Sequence, residues 1–266
     1  MKVVLFCGGL GMRIREAGDV PKPMVTIGYR PILWHVMKYY AHYGHKDFIL
    51  CLGYKADVIK QFFLQYEEWV SNDFTLSKGG KQLTLENNDI EDWNITFVDT
   101  GLNSNIGQRL SAVRRYVENE EMFLANYSDG LTDAPLPAMI DLLRSSGKTG
   151  CFLAVRPPLT FHLVEFDTAG EVQRLRASQD SDIWMNAGYF VFRSKIFNYI
   201  NEGEELVVEP FQRLIAEGEL IAYRHEGFFR AMDTLRDKQT LEDMVQRGDM
   251  PWQPKLARQA EVEKAK

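Results

Sequence analysis

The stretch from Lys2 to Met24, KVVLFCGGLGMRIREAGDVPKPM, constrains the fold more than any other part of the chain. Val3 to Cys7 is an apolar run rich in β-formers and too short for a buried helix, so it reads as a buried parallel strand. It stops at glycine. Gly8, Gly9 and Gly11 let the backbone turn where a Cβ would clash and bring main-chain N–H groups close to an anion. Arg13 follows, and Lys22 stands between Pro21 and Pro23 on a stiff backbone. A strand, a glycine turn and two cations make a polyphosphate site. The spacing is neither the dinucleotide G-x-G-x-x-G nor the P-loop G-x-x-x-x-G-K-[ST], which excludes NAD binding and a P-loop ATPase.

The 266 residues fit one large α/β domain over residues 1–252, with 253–266 read as a frayed tail. A net charge of -6 gives no support for a nucleic-acid or anionic-membrane partner. Cys7, Cys51 and Cys151 lie in apolar runs without C-x-x-C spacing. They read as reduced core residues of a cytoplasmic protein, with neither metal-ligand nor disulfide spacing. No secretory leader and no apolar run of membrane-spanning length is evident.

Beyond the loop the pattern alternates. Pro31 to Tyr40 has helical apolar spacing with proline at the first turn, and Gly44 ends it. Phe48–Leu52 reads as a second buried strand, Gly53-Tyr54-Lys55 as a turn, and Ala56–Tyr66 as a helix. This βαβ rhythm predicts a Rossmann-like mixed, mostly parallel sheet flanked by helices. Ser71–Asp92 is polar and glycine-punctuated, which predicts a small β-rich, hairpin-bearing insertion. Ile95–Asp99 and Met122–Tyr127 read as further strands, with a helix from Gly107 through Val117 between them. In the second half Gly150–Val155, Leu163–Asp167, Glu171–Arg176 and Ala187–Phe192 read as strands. Ser194–Ile200, Pro210–Glu217 and Asp233–Gln246 read as helices.

Asp129 stands at the end of a buried strand, where sheets of this class place their ligands. It is either a turn residue or a ligand for a hard cation, and Mg²⁺ would require a second acid and a polyphosphate. Asp233 is the candidate second acid, although by itself it reads as a helix N-cap.

The glycines, Arg13 and Pro21-Lys22-Pro23-Met24 resemble the G-G-x-G-T-R…P-K-P-M signature of sugar-1-phosphate nucleotidyltransferases. Tyr127-Ser128-Asp129-Gly130, Trp93 to Gly101, Met185-Asn186-Ala187-Gly188 and the run from Gly227 through M-D-T-L-R-D-K resemble, in order, the glucose-1-phosphate cytidylyltransferase family. The resemblance covers about Met1 to Trp252. It implies an Mg²⁺-dependent enzyme that transfers CMP from CTP to a sugar phosphate, as a homo-oligomer. Carried over by position, Phe6, Gly8, Gly9, Leu10, Gly11, Met12, Arg13, Lys22, Ser104, Arg109 and Asp129 would contact the nucleotide, with Arg109 reading the base. Arg13, Lys22, Asp129 and Asp233 would be catalytic, the two aspartates holding the metal. Tyr127, His162, Arg176 and Asn186 would line the acceptor side.

Several positions depart from the family pattern. Met12 replaces the loop threonine, Ile106 and Gln108 alter the segment beside the base, and His162 stands in place of a glycine. The family's E-K-P motif is absent, with Arg176-Ala177-Ser178-Gln179-Asp180 in its place. These departures predict altered substrate choice, with glucose 1-phosphate a poor acceptor and Arg174 or Arg176 replacing the lost lysine.

Overall fold

The computed structural model describes residues 1–9, 20–157, 162–178 and 182–253. Expectations for Leu10, Gly11, Met12 and Arg13, and for the tail beyond Gln253, lie outside the described residues. The first half of the chain forms β1 (Lys2–Phe6), β2 (Thr26–Ile27), β3 (Arg30–Pro31), α1 (Ile32–His42), β4 (Asp47–Leu52), α2 (Ala56–Leu64), β5 (Phe74–Ser77), β6 (Gln82–Leu85), β7 (Asn94–Asp99), α3 (Ile106–Ala112), α4 (Arg114–Val117) and β8 (Met122–Asn126). The second half forms β9 (Gly130–Thr132), α5 (Leu136–Ser146), β10 (Gly150–Val155), β11 (His162–Phe166), β12 (Val172–Ala177), β13 (Met185–Arg193), α6 (Glu209–Ala216), β14 (Leu220–His225), β15 (Phe229–Ala231) and α7 (Leu235–Gln246).

Seven strands build the main sheet in the order β14-β10-β13-β8-β1-β4-β7. β1 runs parallel to β4 and β8, and β4 parallel to β7. β13 is antiparallel to both β8 and β10, while β10 and β14 are parallel. Both faces are covered, which is why β1 is apolar at successive positions. Val3 and Leu5 join the core that includes α1 and α5, and Val4 and Phe6 join the core on the opposite face. Full burial of each such aliphatic side chain stabilises the fold by roughly 1.5–3 kcal/mol. Among the described residues four two-stranded ladders lie outside the sheet, β2/β3, β5/β6, β9/β15 and β11/β12, and β5/β6 is the expected insertion.

The differences from expectation have local causes. The helix from Gly107 is interrupted at Val113, so it forms α3 and α4 and not one element. Ser194–Asn198 is a 3-10 helix. The sequence reading missed α5, β14 and the β9/β15 ladder. α5 follows a loop with Pro at its first turn, and β14 is only half-buried along its length. Among the described residues no helix is long and apolar enough to cross a membrane. All three cysteines are free and buried.

Candidate active site

Lys22 lies in a 3-10 turn, Lys22–Met24, with Pro23 within it and Pro21 before it. Its Nζ donates to Asp129 Oδ2 at 2.7 Å and to Asp233 Oδ1 at 2.7 Å. Burial opposes the ammonium charge, but Asp129 and Asp233 outweigh it and hold Lys22 above its ordinary value. Burial likewise pushes the Asp129 carboxyl up, and Lys22 pulls it back only in part.

Two backbone devices bring these acids together. Ala231 pairs with Gly130 in the β9/β15 ladder, and Met232 N–H extends it to the Asp129 carbonyl at 2.8 Å. Asp129 and Asp233 therefore flank one ladder despite their separation in sequence. Asp233 is also released from capping. Thr234 is the N-cap of α7, and its side chain and that of Asp237 bond reciprocally to each other's backbone N–H. The N-cap reading of Asp233 is thus corrected by one residue.

Ser128 has φ +63, a left-handed conformation that a non-glycine residue adopts at a cost. It is held there by three bonds. Its N–H donates to Asn126 Oδ1 at 2.6 Å, and its hydroxyl lies 2.8 Å from the Phe6 carbonyl and 2.6 Å from its neighbour's at Tyr127. The turn aims Asp129 out of the strand end towards Lys22. Phe6 contributes this anchoring carbonyl, with its side chain buried.

Arg109 is 2% exposed and lies beneath the start of the glycine loop. Nη1 donates to the Leu52 carbonyl and Thr100 Oγ1, and Nη2 to the Gly8 and Leu102 carbonyls, at 2.7–3.4 Å. The guanidinium is committed to protein acceptors at the ends of β1, β4 and β7. Its donors thus face protein acceptors at the strand ends, whereas the resemblance implies that Arg109 reads the base. Gly8 is required for the fit, since a Cβ there would lie 2.0 Å from Arg109 Nη1, whereas at Gly9 no described residue lies within 4 Å of a Cβ. Ser104 Oγ donates to the Thr100 carbonyl and closes the adjacent turn. Gln108 caps α3 with Asn105, so its side chain belongs to the helix start. Burial pushes the Cys7 thiol up to about 12, so it is no nucleophile at neutral pH.

On the other side of Asp129, Tyr127 is wedged by Gly188, whose carbonyl accepts from the Tyr127 N–H at 3.0 Å. Gly188 has φ +74, and a Cβ there would lie 2.4 Å from the tyrosine ring. Asn186 Oδ1 accepts from Gly188 N–H at 2.9 Å, which sets the Asn186 amide beside Tyr127. Tyr127 and Asn186 are thus brought together. His162 is exposed at the start of β11. Arg176 ion-pairs with Glu165 across the β11/β12 ladder at 2.6 Å, so its charge is engaged within the hairpin. The sequence reading missed Ser128 and Gly188; an S-D-G at a strand end and the M-N-A-G motif carry both, but neither signals a φ value.

Residues 2–229 match the nucleotidyl transferase family, and the chain belongs to it. It is 41% identical over 255 residues, 95% of this chain and 98% of the other, to glucose-1-phosphate cytidylyltransferase of Salmonella typhi. It is 35% identical, over 95% and 99% of the two chains, to probable glucose-1-phosphate cytidylyltransferase of Bacillus subtilis. The fold is also that of UDP-glucose pyrophosphorylase complexed with UDP-glucose, with a TM-score of 0.68 at 15% identity over 93% of this chain and 98% of that one.

Proposed function

We propose that this protein transfers CMP from CTP to the phosphate of a sugar 1-phosphate or a related acceptor, releasing pyrophosphate and forming a CDP-sugar. The observation that carries the reading is the convergence of Lys22, Asp129 and Asp233 at 2.7 Å beside a glycine-rich strand end. The relatives' names supply cytidine and the sugar phosphate.

Two carboxylates, with no third His, Cys, Asp or Glu grouped with them among the described residues, suit Mg²⁺, which takes a few carboxylates and completes its octahedron with phosphate oxygens and water. Among the described residues no cluster of three or more His, Cys, Asp or Glu forms a closed metal cage. Mg²⁺ held by Asp129 and Asp233 would neutralise phosphate charge and clamp the two substrates. The chain's own residues do the rest. Gly8 and Gly9 bring the backbone close to the triphosphate, and Arg109 holds that backbone in place. Lys22, already between the two acids, is long enough to turn its ammonium to the α-phosphate, where charge develops in the in-line displacement. Tyr127 and Asn186 position the sugar. A phosphate monoester is largely ionised at neutral pH, so no general base is required.

The cytosine amino group needs an acceptor. The Gly8 carbonyl already accepts from Arg109 and from Tyr54 N–H, which uses both its lone pairs, whereas the Phe6 carbonyl accepts from Ser128 and keeps a second lone pair. A catalytically weak regulatory relative is the alternative, and it gives no reason for Lys22, Asp129 and Asp233 to be assembled. Homo-oligomerisation is supported by apolar side chains exposed on both hairpins, Phe74, Leu76 and Leu83 on one and Val164, Phe166 and Leu175 on the other. A cytoplasmic site is supported by the three free cysteines.

Pyrophosphate release, measured across CTP, UTP, GTP, ATP and dTTP with a panel of sugar 1-phosphates, tests the reading. CTP should give a kcat/KM at least tenfold above the others, and chelation of Mg²⁺ should abolish turnover. A higher kcat/KM with UTP or a purine nucleotide overturns the cytidylyl assignment.

A further inference from the structure

Asp233 meets Lys22 from just beyond β15, and β15 pairs with β9 over three residue pairs in a two-stranded sheet separate from the main one. A short isolated pair of strands is marginal by itself, and its register is weakly specified. β9 has anchors in the main body. Buried Tyr189 of β13 donates its hydroxyl to the Gly130 carbonyl at 2.7 Å, and Tyr39 of α1 donates to the Ala134 carbonyl at 2.7 Å. The register between β9 and β15 therefore sets where Asp233 stands relative to Asp129.

The same register runs past both ends of the ladder. At the acid end Met232 N–H reaches the Asp129 carbonyl, and four residues later in the chain the Asp133 N–H lies 3.3 Å from the Phe228 carbonyl. At this far end side chains take over. Asp133 Oδ1 accepts from the Phe228 N–H at 2.7 Å and from His225 Nε2 at 2.7 Å. An ionised carboxylate only accepts, so Nε2 carries the proton in this bond. The Thr132 hydroxyl donates to the Phe228 carbonyl at 2.8 Å, so both backbone groups of Phe228 are held by Thr132 and Asp133. His225 is the last residue of β14, in register with Val155 of β10, and its side chain is largely buried. One carboxylate oxygen thus ties an edge strand of the main sheet to the chain that enters β15. Gly227 leaves room for this tie, since a Cβ there would lie 2.6 Å from the His225 ring and 2.7 Å from Asp133 Oδ1.

We infer that His225 and Asp133 are positioning residues that lock β15 on β9 and so set Asp233 against Asp129, an inference that rests on reading these two acids as the pair that holds the divalent cation. The tie acts from the opposite end of the ladder, ~14 Å away at ~3.4 Å per residue. Bonds to a carboxylate are strong and directional. Two donors meeting on one oxygen admit one register, because a slip by one residue carries the Phe228 N–H away from Asp133 and turns the side chains of β15 to the other face. A misplacement of ~1 Å in a group that orders the reactants costs about a hundredfold in rate, which is what such a lock prevents.

The test uses the full chain with His225→Leu, His225→Gln and Gly227→Ala. Leucine fills the space without a donor, glutamine returns an N–H near the position of Nε2, and Gly227→Ala keeps both polar groups but wedges them apart. Amide hydrogen exchange over residues 229–232, measured without nucleotide or metal, should be at least tenfold faster in the Leu and Ala variants. In both, β1 should exchange at the parent's rate, and His225→Gln should stay within threefold of the parent throughout. Mn²⁺ binding followed by electron paramagnetic resonance, with Mn²⁺ standing in for Mg²⁺, should weaken at least tenfold in the same two variants and recover in His225→Gln. Parent-like exchange in the Leu and Ala variants, a Gln variant that behaves as the Leu one, or Mn²⁺ binding unmoved by faster exchange overturns the inference. A parent that binds no Mn²⁺ overturns the metal reading of the two acids instead, and exchange then decides by itself whether His225 and Asp133 lock the ladder.

Discussion

The two ends of the main sheet solve recognition in different ways. At β1, β4 and β7 the site is made of backbone. Glycines at 8 and 53 lie against a guanidinium that holds the Gly8, Leu52 and Leu102 carbonyls, so geometry there depends on what is absent from the side chains. At β13 and β10 the wall is made of side chains set in register rows, Asn186 and Ala154 among them. A backbone-built site tolerates almost no substitution, whereas a side-chain wall changes its ligand with one residue and leaves the sheet intact.

The largest effect should come from the residues shared by both ends. Asp129→Asn and Asp233→Asn should each lower kcat about a hundredfold to a thousandfold with any acceptor, since one preorganised charge is removed from the point where two anions meet. Steady-state kinetics on folded variants checks this, and parent-like turnover in either would show that these acids do not hold the metal.

A smaller, one-sided loss distinguishes the backbone-built end. Gly8→Ala should raise KM for CTP tenfold or more, because its Cβ would lie 2.0 Å from Arg109 Nη1, while Gly9→Ala, with no described residue within 4 Å, should stay within twofold in stability-corrected KM. Equal behaviour of the two variants would remove Arg109 from its role as the support of the loop.

The mirror variant on the other end is Gly188→Ala. With φ +74 and the Tyr127 ring 2.4 Å from the new Cβ, it should raise KM for the acceptor severalfold and leave KM for CTP nearly unchanged. A change confined to CTP would mean that Tyr127 and Asn186 serve the nucleotide.

The least functional effect is expected from His35, which belongs to neither end. Its Nε2 contacts the Ile27 carbonyl at 3.0 Å, and burial lowers its pKa to about 4 from 6.5. The folded protein holds it neutral, while the unfolded chain takes up a proton below pH 6.5. Stability is therefore intact above pH 6.5 and falls by about 3 kcal/mol as pH drops towards 4. His35→Gln should flatten this fall in urea titrations at pH 4–7 without altering turnover at pH 7.5.

The strands of the parallel half were legible because their signals are local. Val3 to Phe6 declares a doubly buried strand by its own composition, and the glycines follow it directly. α5 and β14 were not, since a half-buried edge strand carries little apolar periodicity. The sequence by itself determined the sheet type, the place of Lys22 between two prolines, and Asp129 at a strand end. Only tertiary structure decided what these residues do. Asp233 becomes a partner of Lys22 because β9 pairs with β15 and Thr234 takes over the cap. Arg109 turns inward because three strand ends converge on it, and Arg176 is neutralised by a residue across a hairpin. Pairing between distant segments depends on register, and register is set by packing of the whole sheet, which no local stretch of sequence encodes.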